Sequence, residues 1–576
     1  MAERPARLWS RSVRAALDAG DPRGAADSAA AGWPRFLQTD PTLVAATVQA
    51  LPAAERDGRA GLVTALALAL DAAPEGAGRA SAPLLETQAD RLLRRGADRA
   101  ARAGAPDAES PELDELVIAR AALAGLHRRR GCFTEAQAEL DRADAWLEGL
   151  RGVDAGVLTL LRARLRLERA LVAVHRDGMG ADRSTAPVST LTETSMHPAD
   201  RVTAAGLMAL SAFVRDDAAA AEVWIDAAER AATAEATPRD AAEIPLEESP
   251  ALAPAVFTAF LIAHDRAELG DAAATAARLA AIAHGSEWRA YASLAEAMLL
   301  LLGSRHAAAS AALADADEQM RDWSGGLLAA VLAAGIRARL DVEQGRPLGP
   351  GFEDGRRMDD DRHVLCRAQL VGWSLLSGGG HDGGGHRGGG AREVGEGADA
   401  AEVAAHAARA RQAVAACLAA GPRHAAPGLA DALLVDAVAA LRQGDDEGAA
   451  HSFDEALAVA ARSGTRRPFR HPSRSDLTVL VRRASARPHP EQVRLLLDEL
   501  RPSTDEAVQL SEREIQVLAG LRRGSSVQVL ARELFLSPNT VKTHVRNIYR
   551  KLGANDRESA FAAASEHGIA LDITPR

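Results

Sequence analysis

The sequence predicts an all-α protein, an α-solenoid of tetratricopeptide-like helical hairpins followed by a small helical domain of a different kind. Three observations carry this. From Leu8 to about Leu376, Ala, Leu, Val and Arg recur at three- and four-residue spacing with little β-branched alternation, the period of helices rather than strands. Gly-containing breaks separate successive helical stretches, and past Pro502-Ser503-Thr504 both the capping pattern and the charge change. Hydrophobic residues make up 47% and charged residues 26%, near the globular average, so most of the 576 residues should fold. With only 3% aromatic residues, the core must be built mainly from Ala, Leu and Val.

In chain order, residues 1–376 read as a first helical-repeat array. Gly20-Asp21 starts the series, and the clearest hairpin is Val117 to Leu150, where Gly131, Phe133, Glu135, Ala136 and Ala143 sit as in a tetratricopeptide repeat. Gly is expected to make the tight interhelical turn, and Ala to let two helix backbones approach at the crossing. Gly270-Asp271 and Gly303 echo the pattern 33 residues apart, while a generic antiparallel helix pair fits each segment equally well. Asp177 to Asp200 and Ala236 to Pro254 read as exposed loops. Residues 377–397 are too rich in Gly to bury a core and read as a disordered loop. The array resumes over 398–500, where Gly444, Ala449, Phe453 and Ala456 repeat the spacing before a Pro-rich interruption at Arg487 to Pro490. Residues 501–509 read as a hinge, and 510–576 form the last domain.

Composition excludes several chemistries. Only Lys542 and Lys551 are lysines, and neither follows the Gly that a Walker A loop requires, which excludes that phosphate cradle. The same shortage argues against a kinase or a Lys-dependent receiver domain. Cys132, Cys366 and Cys417 lie too far apart for a C-x-x-C pairing and read as free thiols of a reducing compartment. No run of 18 apolar residues and no apolar signal region occurs, so a cytoplasmic location without membrane contact is expected. Neither alternating strands nor an aromatic-lined ligand pocket is apparent. Net charge is −11, but residues 508–576 carry ten basic and seven acidic groups, +3, leaving −14 ahead of them. The tail alone suits a polyanion.

Its caps divide that tail into four helices. Ser511 with Glu514 makes a capping box, starting a helix with Val517, Leu518 and Leu521 on one side and Gly524 at its end. Ser526 starts a second helix with Leu530 and Leu534 inward. Ser537-Pro538 starts a third, because Pro tolerates the first helical position and Ser accepts an orphan N–H. There Val541, Val545, Ile548 and Leu552 share one arc and face the core, leaving Thr543, Arg546, Asn547 and Arg550, flanked by Lys542, on the other side. Asp556 caps a fourth helix containing Ala560, Phe561 and Ala564. A short basic helix joined tightly to the one before it suits a DNA major groove.

The stretch resembles the helix-turn-helix domain of the LuxR family. Leu510, Ser511, Arg513 and Glu514 match its opening, Leu534, Ser537, Thr540, Val541, Lys542 and His544 match its central run, and Lys551-Leu552-Gly553 with Arg557 complete it. The resemblance implies that Lys542, Thr543 and Arg546 approach base edges. Thr540, His544, Asn547 and the helix end, with Arg550 and Lys551, would lie near phosphates, Ser537 at the helix start among them. It implies a dimer surface on the fourth helix at Phe561 and Ala564, although core packing explains Phe561 equally well. Gln528 and Val529 depart from the family's usual basic and acidic pair, which removes a phosphate contact and breaks the Ser526 capping box. The front part is similar to the helical array of MalT-like regulators, without their NTPase module, and Phe453 to Arg483 resembles the end of that array.

The expected function is a sequence-specific DNA-binding transcriptional regulator, not an enzyme, and without cofactor or metal. Its partners would be double-stranded DNA, a second copy of the chain on DNA, and an unidentified small-molecule or protein effector on the helical array. RNA polymerase is admitted as a further partner. Two other readings stay open: an interaction scaffold whose DNA binding is weak or vestigial, and a metal-responsive regulator using His381 and His386.

Overall fold

A computed structural model describes residues 12–31, 47, 50, 113–149, 155–177, 198–234, 249–284, 286–344, 346, 348, 367–377, 400–421, 424–501, 510, 512–534, 536–552, 554, 556–557, 560–561 and 564. Ser511, Cys366, His381, His386, the Gly-rich loop after Ser377 and the hinge after Arg501 lie outside the described residues. Among those described, the regular elements are helices, and the only bridge pairs Cys132 with Ser324. No described helix is long and apolar enough to cross a membrane.

The helices are α1 Pro22–Ala31, α2 Leu113–Arg129, α3 Phe133–Gly149, α4 Ala155–Asp177, α5 Pro198–Val214, α6 Ala218–Ala234, α7 Ala253–Asp265, α8 Leu269–Ile282, α9 Trp288–Leu302, α10 His306–Gln319 and α11 Leu327–Gln344. They continue as α12 Arg367–Leu376, α13 Ala400–Ala420, α14 Ala426–Arg442, α15 Asp446–Ser463, α16 Arg474–Ser485, α17 Glu491–Leu500, α18 Glu512–Arg522, α19 Val527–Glu533 and α20 Pro538–Leu552. The chain divides into two compact units, residues 1–264 with 268–336, and residues 265–267 with 337–576. In the first, α2 packs on α3, α5 on α6 and α9 on α10; in the second, α12 to α15 pack in succession.

One turn recurs through both units. At each, the amide five residues on donates back into the last helical turn: Asp21 to Ala16, Cys132 to His127, Asp217 to Ala212, Glu268 to Ala263, Arg305 to Leu300, Asp445 to Ala440 and Ser525 to Gly520. This Schellman arrangement satisfies carbonyls that the helix end orphans, and it requires a left-handed residue one position earlier. Gly131 and Gly444 supply it with φ of 75° and 76°. The sequence expectation holds there and at Gly20 (φ 70°), but at two of the quoted breaks Gly is not the left-handed residue. Ala267 (φ 56°) precedes Gly270, which already lies inside α8, and Ser304 (φ 56°) follows Gly303. Asp often follows the turn and caps the next helix: the amides of Gly24, Ala220 and Gly448 donate to Asp21, Asp217 and Asp445 respectively, each at 2.9 Å.

Small residues set the crossings. Ala136 and Ala143 are fully buried between α2 and α3, and a Cβ on Gly206 of α5 would press on the backbone nitrogen of Ala255 in α7. Ala, Leu and Val dominate the buried set as composition requires, yet the largest fully buried side chains include Tyr291, Phe133, Phe257 and Phe260.

The few aromatic residues are not scattered evenly: several gather into one buried cluster. In the first unit Phe133, Phe257, Trp288, Tyr291 and Trp323 converge around His175, whose ring stacks on Phe133 at 4.9 Å and meets the edge of Trp288 at 5.1 Å. The loop carrying Trp323 is fastened to the α2–α3 turn: Phe133 donates its amide to Ser324 O (3.0 Å), Ser324 to Gly131 O (2.8 Å), and the Ser324 hydroxyl to Glu135 (2.7 Å). Gly131 lies against the Trp323 indole, which leaves no space for a Cβ. A linear stack of nearest-neighbour repeats has no bond like that between Ser324 and Glu135, 189 positions apart.

Candidate nucleic-acid interface

The last domain is organised by its apolar pattern. Val517, Leu518 and Leu521 of α18, Leu530 and Leu534 of α19, and Val541, Ile548 and Leu552 of α20 form one buried cluster, with Val545 and Phe561 packed partly against it. Burying each of the larger side chains contributes about 1.5–3 kcal/mol. The predicted arc of α20 is therefore the buried one, and the remaining face is fixed by default: Lys542, Thr543 and Arg546 are exposed, and His544 and Asn547 are half-buried. The side chain of Arg550 lies outside the described residues.

Caps position this helix. Pro538 occupies its first position, and Ser537 Oγ accepts the Thr540 amide (3.1 Å) while lying 2.8 Å from the Thr540 hydroxyl. Both side chains are thus engaged at the helix start. Ser526 still accepts the Val529 amide at 3.4 Å, so half of the capping interaction survives the Gln528 and Val529 departures. The turn between α18 and α19 places Gly524 at φ 91°.

The polar residues of the family pattern have internal partners. Arg513 donates to the carbonyl of Leu534 (2.6 Å), which ends α19, and to Gln516 Oε1 (2.8 Å). Lys551, near the end of α20, donates to Glu514 of α18 at 2.7 Å, where the Glu514 side chain is only 6% exposed. Arg557 donates to the Leu521 carbonyl at the end of α18 and lies over the Phe561 ring, 5.7 Å from its centroid. Burial of Tyr549 pushes its phenol above the usual range. Of the two fourth-helix positions expected at a dimer surface, Ala564 is fully buried in the domain's own core, and Phe561 is half-buried against it.

The geometry is now that of two helices, α18 and α19, holding a third and basic one, α20, with one face free of the core. A family model for bacterial regulatory proteins of the luxR family matches residues 508–564. The C-terminal domain belongs to the LuxR family. The chain is 49% identical across 55 residues to a probable transcriptional regulatory protein NarL of Mycobacterium tuberculosis, covering 10% of this chain and 26% of that protein. It is 39% identical across 67 residues to the CsgBAC operon transcriptional regulatory protein of Escherichia coli, covering 12% and 31%. A longer similarity, 28% over 164 residues and covering 23% of this chain and 18% of the relative, is to the HTH-type transcriptional regulator MalT of Vibrio cholerae. The chain thus spans less than a third of each of these relatives.

Ahead of the LuxR domain, two buried polar centres escaped the sequence reading. In the first unit Arg128 donates to Glu168 (3.0 Å) and to Glu287, while Arg164 pairs with Glu168 (2.9 Å) and Asp200 (2.5 Å). Burial is the largest influence and would raise the Glu287 carboxyl, but the Arg128 guanidinium, His175 and a backbone hydrogen bond together outweigh it and hold the group at about 2. His175 Nδ1 lies 2.7 Å from the Tyr291 hydroxyl, and burial depresses the imidazole and raises the phenol well above its ordinary range. In the second unit His471 Nδ1 and Trp373 Nε1 both donate to Asp431 Oδ1 at 2.8 Å, and Arg467 donates to Asp265 at 3.0 Å. Apart from Arg164 and Glu168, one turn apart on α4, the partners are tens to hundreds of positions apart, so no local spacing marks them.

Proposed function

We propose that this chain is a DNA-binding transcriptional regulator, its LuxR domain reading the major groove through α20 and its helical units receiving a small-molecule or protein signal. The observation that carries the reading is the exposed Lys542-Thr543 pair with Arg546 on a capped helix whose opposite face is wholly committed to the core. An α-helix of this kind fits the major groove, where Lys and Arg favour guanine and Thr contacts the thymine methyl. Thr540, His544 and Asn547 flank that face and would approach the phosphates. A second copy of the chain on an inverted repeat would supply the second half-site, with Phe561 at the exposed part of its contact. Enzyme activity is no part of the reading: the relatives carry regulator names, and the face described offers groups for binding rather than for bond cleavage.

The test is selection of genomic fragments by the full-length protein. The reading expects a common inverted-repeat sequence among the retained fragments. Retention without any sequence preference, collapsing uniformly as salt rises, would leave only the phosphate-backbone term and favour the scaffold reading.

A further inference from the structure

Arg513 and Glu514, adjacent on the first turn of α18, reach two different helices. The Arg513 guanidinium donates to the carbonyl of Leu534, which closes α19 shortly before α20 begins, and the Glu514 carboxylate accepts from Lys551 one residue before α20 ends. One helical turn thereby holds both the approach to α20 and its far end. Glu514 is nearly buried while Lys551 is about one-third exposed, so the ammonium is drawn toward the domain rather than standing out from it. A charge-assisted bond to a buried carboxylate is the stronger kind, and removing the ammonium leaves a desolvated charge with less to offset it.

We infer that Arg513-Glu514 is a two-pronged brace that sets the pose of α20, and that Lys551 serves DNA binding as a positioning residue within it and neutralises no phosphate. This rests on the reading of the domain as a DNA-binding one, and it departs from the phosphate role that the family resemblance implies for Lys551. The distinction is measurable because each phosphate neutralised by a Lys contributes about one unit to the slope of log affinity against log salt. A lysine held by Glu514 releases no counterion, so its loss lowers affinity at every salt concentration alike. Lys542, exposed on the open face, is the comparison.

The experiment measures the full-length protein and its Lys551→Met, Glu514→Gln, double and Lys542→Met variants on a fragment the wild type selects, at four salt concentrations. The brace predicts that Lys551→Met weakens binding about ten-fold with the slope unchanged, and that the double variant is no weaker than the Lys551→Met single, as expected of coupled partners. Lys542→Met is expected to reduce the slope by about one. Glu514→Gln, which keeps an acceptor for the ammonium, should fall between wild type and Lys551→Met. A slope reduced by about one in Lys551→Met would make it a phosphate contact and overturn the inference, and so would full additivity in the double variant. Should the wild type select no fragment, the DNA-binding reading fails by itself. Amide hydrogen exchange of α20 then decides the brace, which requires faster exchange in Lys551→Met and is refuted by unchanged exchange.

Discussion

A side chain at Gly520 would run into Leu530: a Cβ built there falls inside the Cδ2 methyl of that buried leucine, so α18 and α19 meet with only a hydrogen between them. This close approach fixes where α19 lies, and with it the turn that launches α20. Gly520→Val should therefore separate the two helices and reduce DNA affinity together with the stability of the domain. Gly520→Ala should cost about 1–3 kcal/mol by overpacking. In a Leu530→Ala background, where the methyl is gone, the same substitution should cost clearly less. A double-mutant cycle in chemical denaturation checks this, and an additive outcome would contradict the packing argument.

The interhelical turns predict substitutions of opposite sign. Gly444 is left-handed and a Cβ added to it would meet nothing within 4 Å, so Gly444→Ala incurs only the conformational penalty of about 1–2 kcal/mol. Ala267 already bears that penalty at φ 56°, and Ala267→Gly should be neutral to stabilising by up to about 1 kcal/mol. Unfolding midpoints of the two variants should move in opposite directions.

Arg128 neutralises two carboxylates in the first unit, both with side chains at most 2% exposed. Arg128→Met takes away the cation that Glu168 and Glu287 share, and breaking such a centre costs about 3–5 kcal/mol. Because Trp288 and Trp323 border it, indole fluorescence followed in a Trp373→Phe background, which silences the second unit's indole, reports this loss. An unchanged fluorescence unfolding midpoint would refute the assignment.

His471 gives the second unit a pH dependence. Burial depresses its imidazole first, Arg339 adds to this, and Asp431 only partly offsets them, leaving it at about 4 against an ordinary 6.5. Above 6.5 both the folded and unfolded forms hold the imidazole neutral; between 6.5 and 4 the unfolded chain takes up a proton that the folded one refuses. Stability therefore falls as pH drops from about 6.5 to about 4. Asp431, held at about 2 by its neighbours against the burial that would raise it, adds its own loss only below the ordinary carboxylate value of 3.8. His471→Asn keeps a donor toward Asp431 and removes the proton, so it should flatten the upper window in denaturation profiles. His175, also depressed by burial, contributes a similar dependence in the first unit.

The sequence rendered local features well and distant ones poorly. The arc of Val541, Ile548 and Leu552, the Ser537-Pro538 start and the hairpin around Gly131 were legible because caps and periodicity act within a few residues. The left-handed turns at Ala267 and Ser304 were not, since neither residue advertises that conformation and Gly270 and Gly303 stand close by as the more obvious candidates. The convergence of Phe133, His175, Tyr291 and Trp323 depends on tertiary packing across most of the first unit. In the LuxR domain, motif matching did not distinguish residues that face outward, such as Lys542, from those bonded within the domain, such as Arg513, Glu514, Lys551 and Arg557.

The central claim is that α20 reads sequence through its exposed face. Its most direct test is the ratio of affinities of the full-length protein for a selected fragment and for the same fragment scrambled, in the wild type, Lys542→Ala and Arg230→Ala, an exposed position on α6. The account predicts that Lys542→Ala loses about 1–3 kcal/mol of discrimination while Arg230→Ala keeps it. A ratio unaffected by Lys542→Ala, or equally reduced by Arg230→Ala, would contradict it.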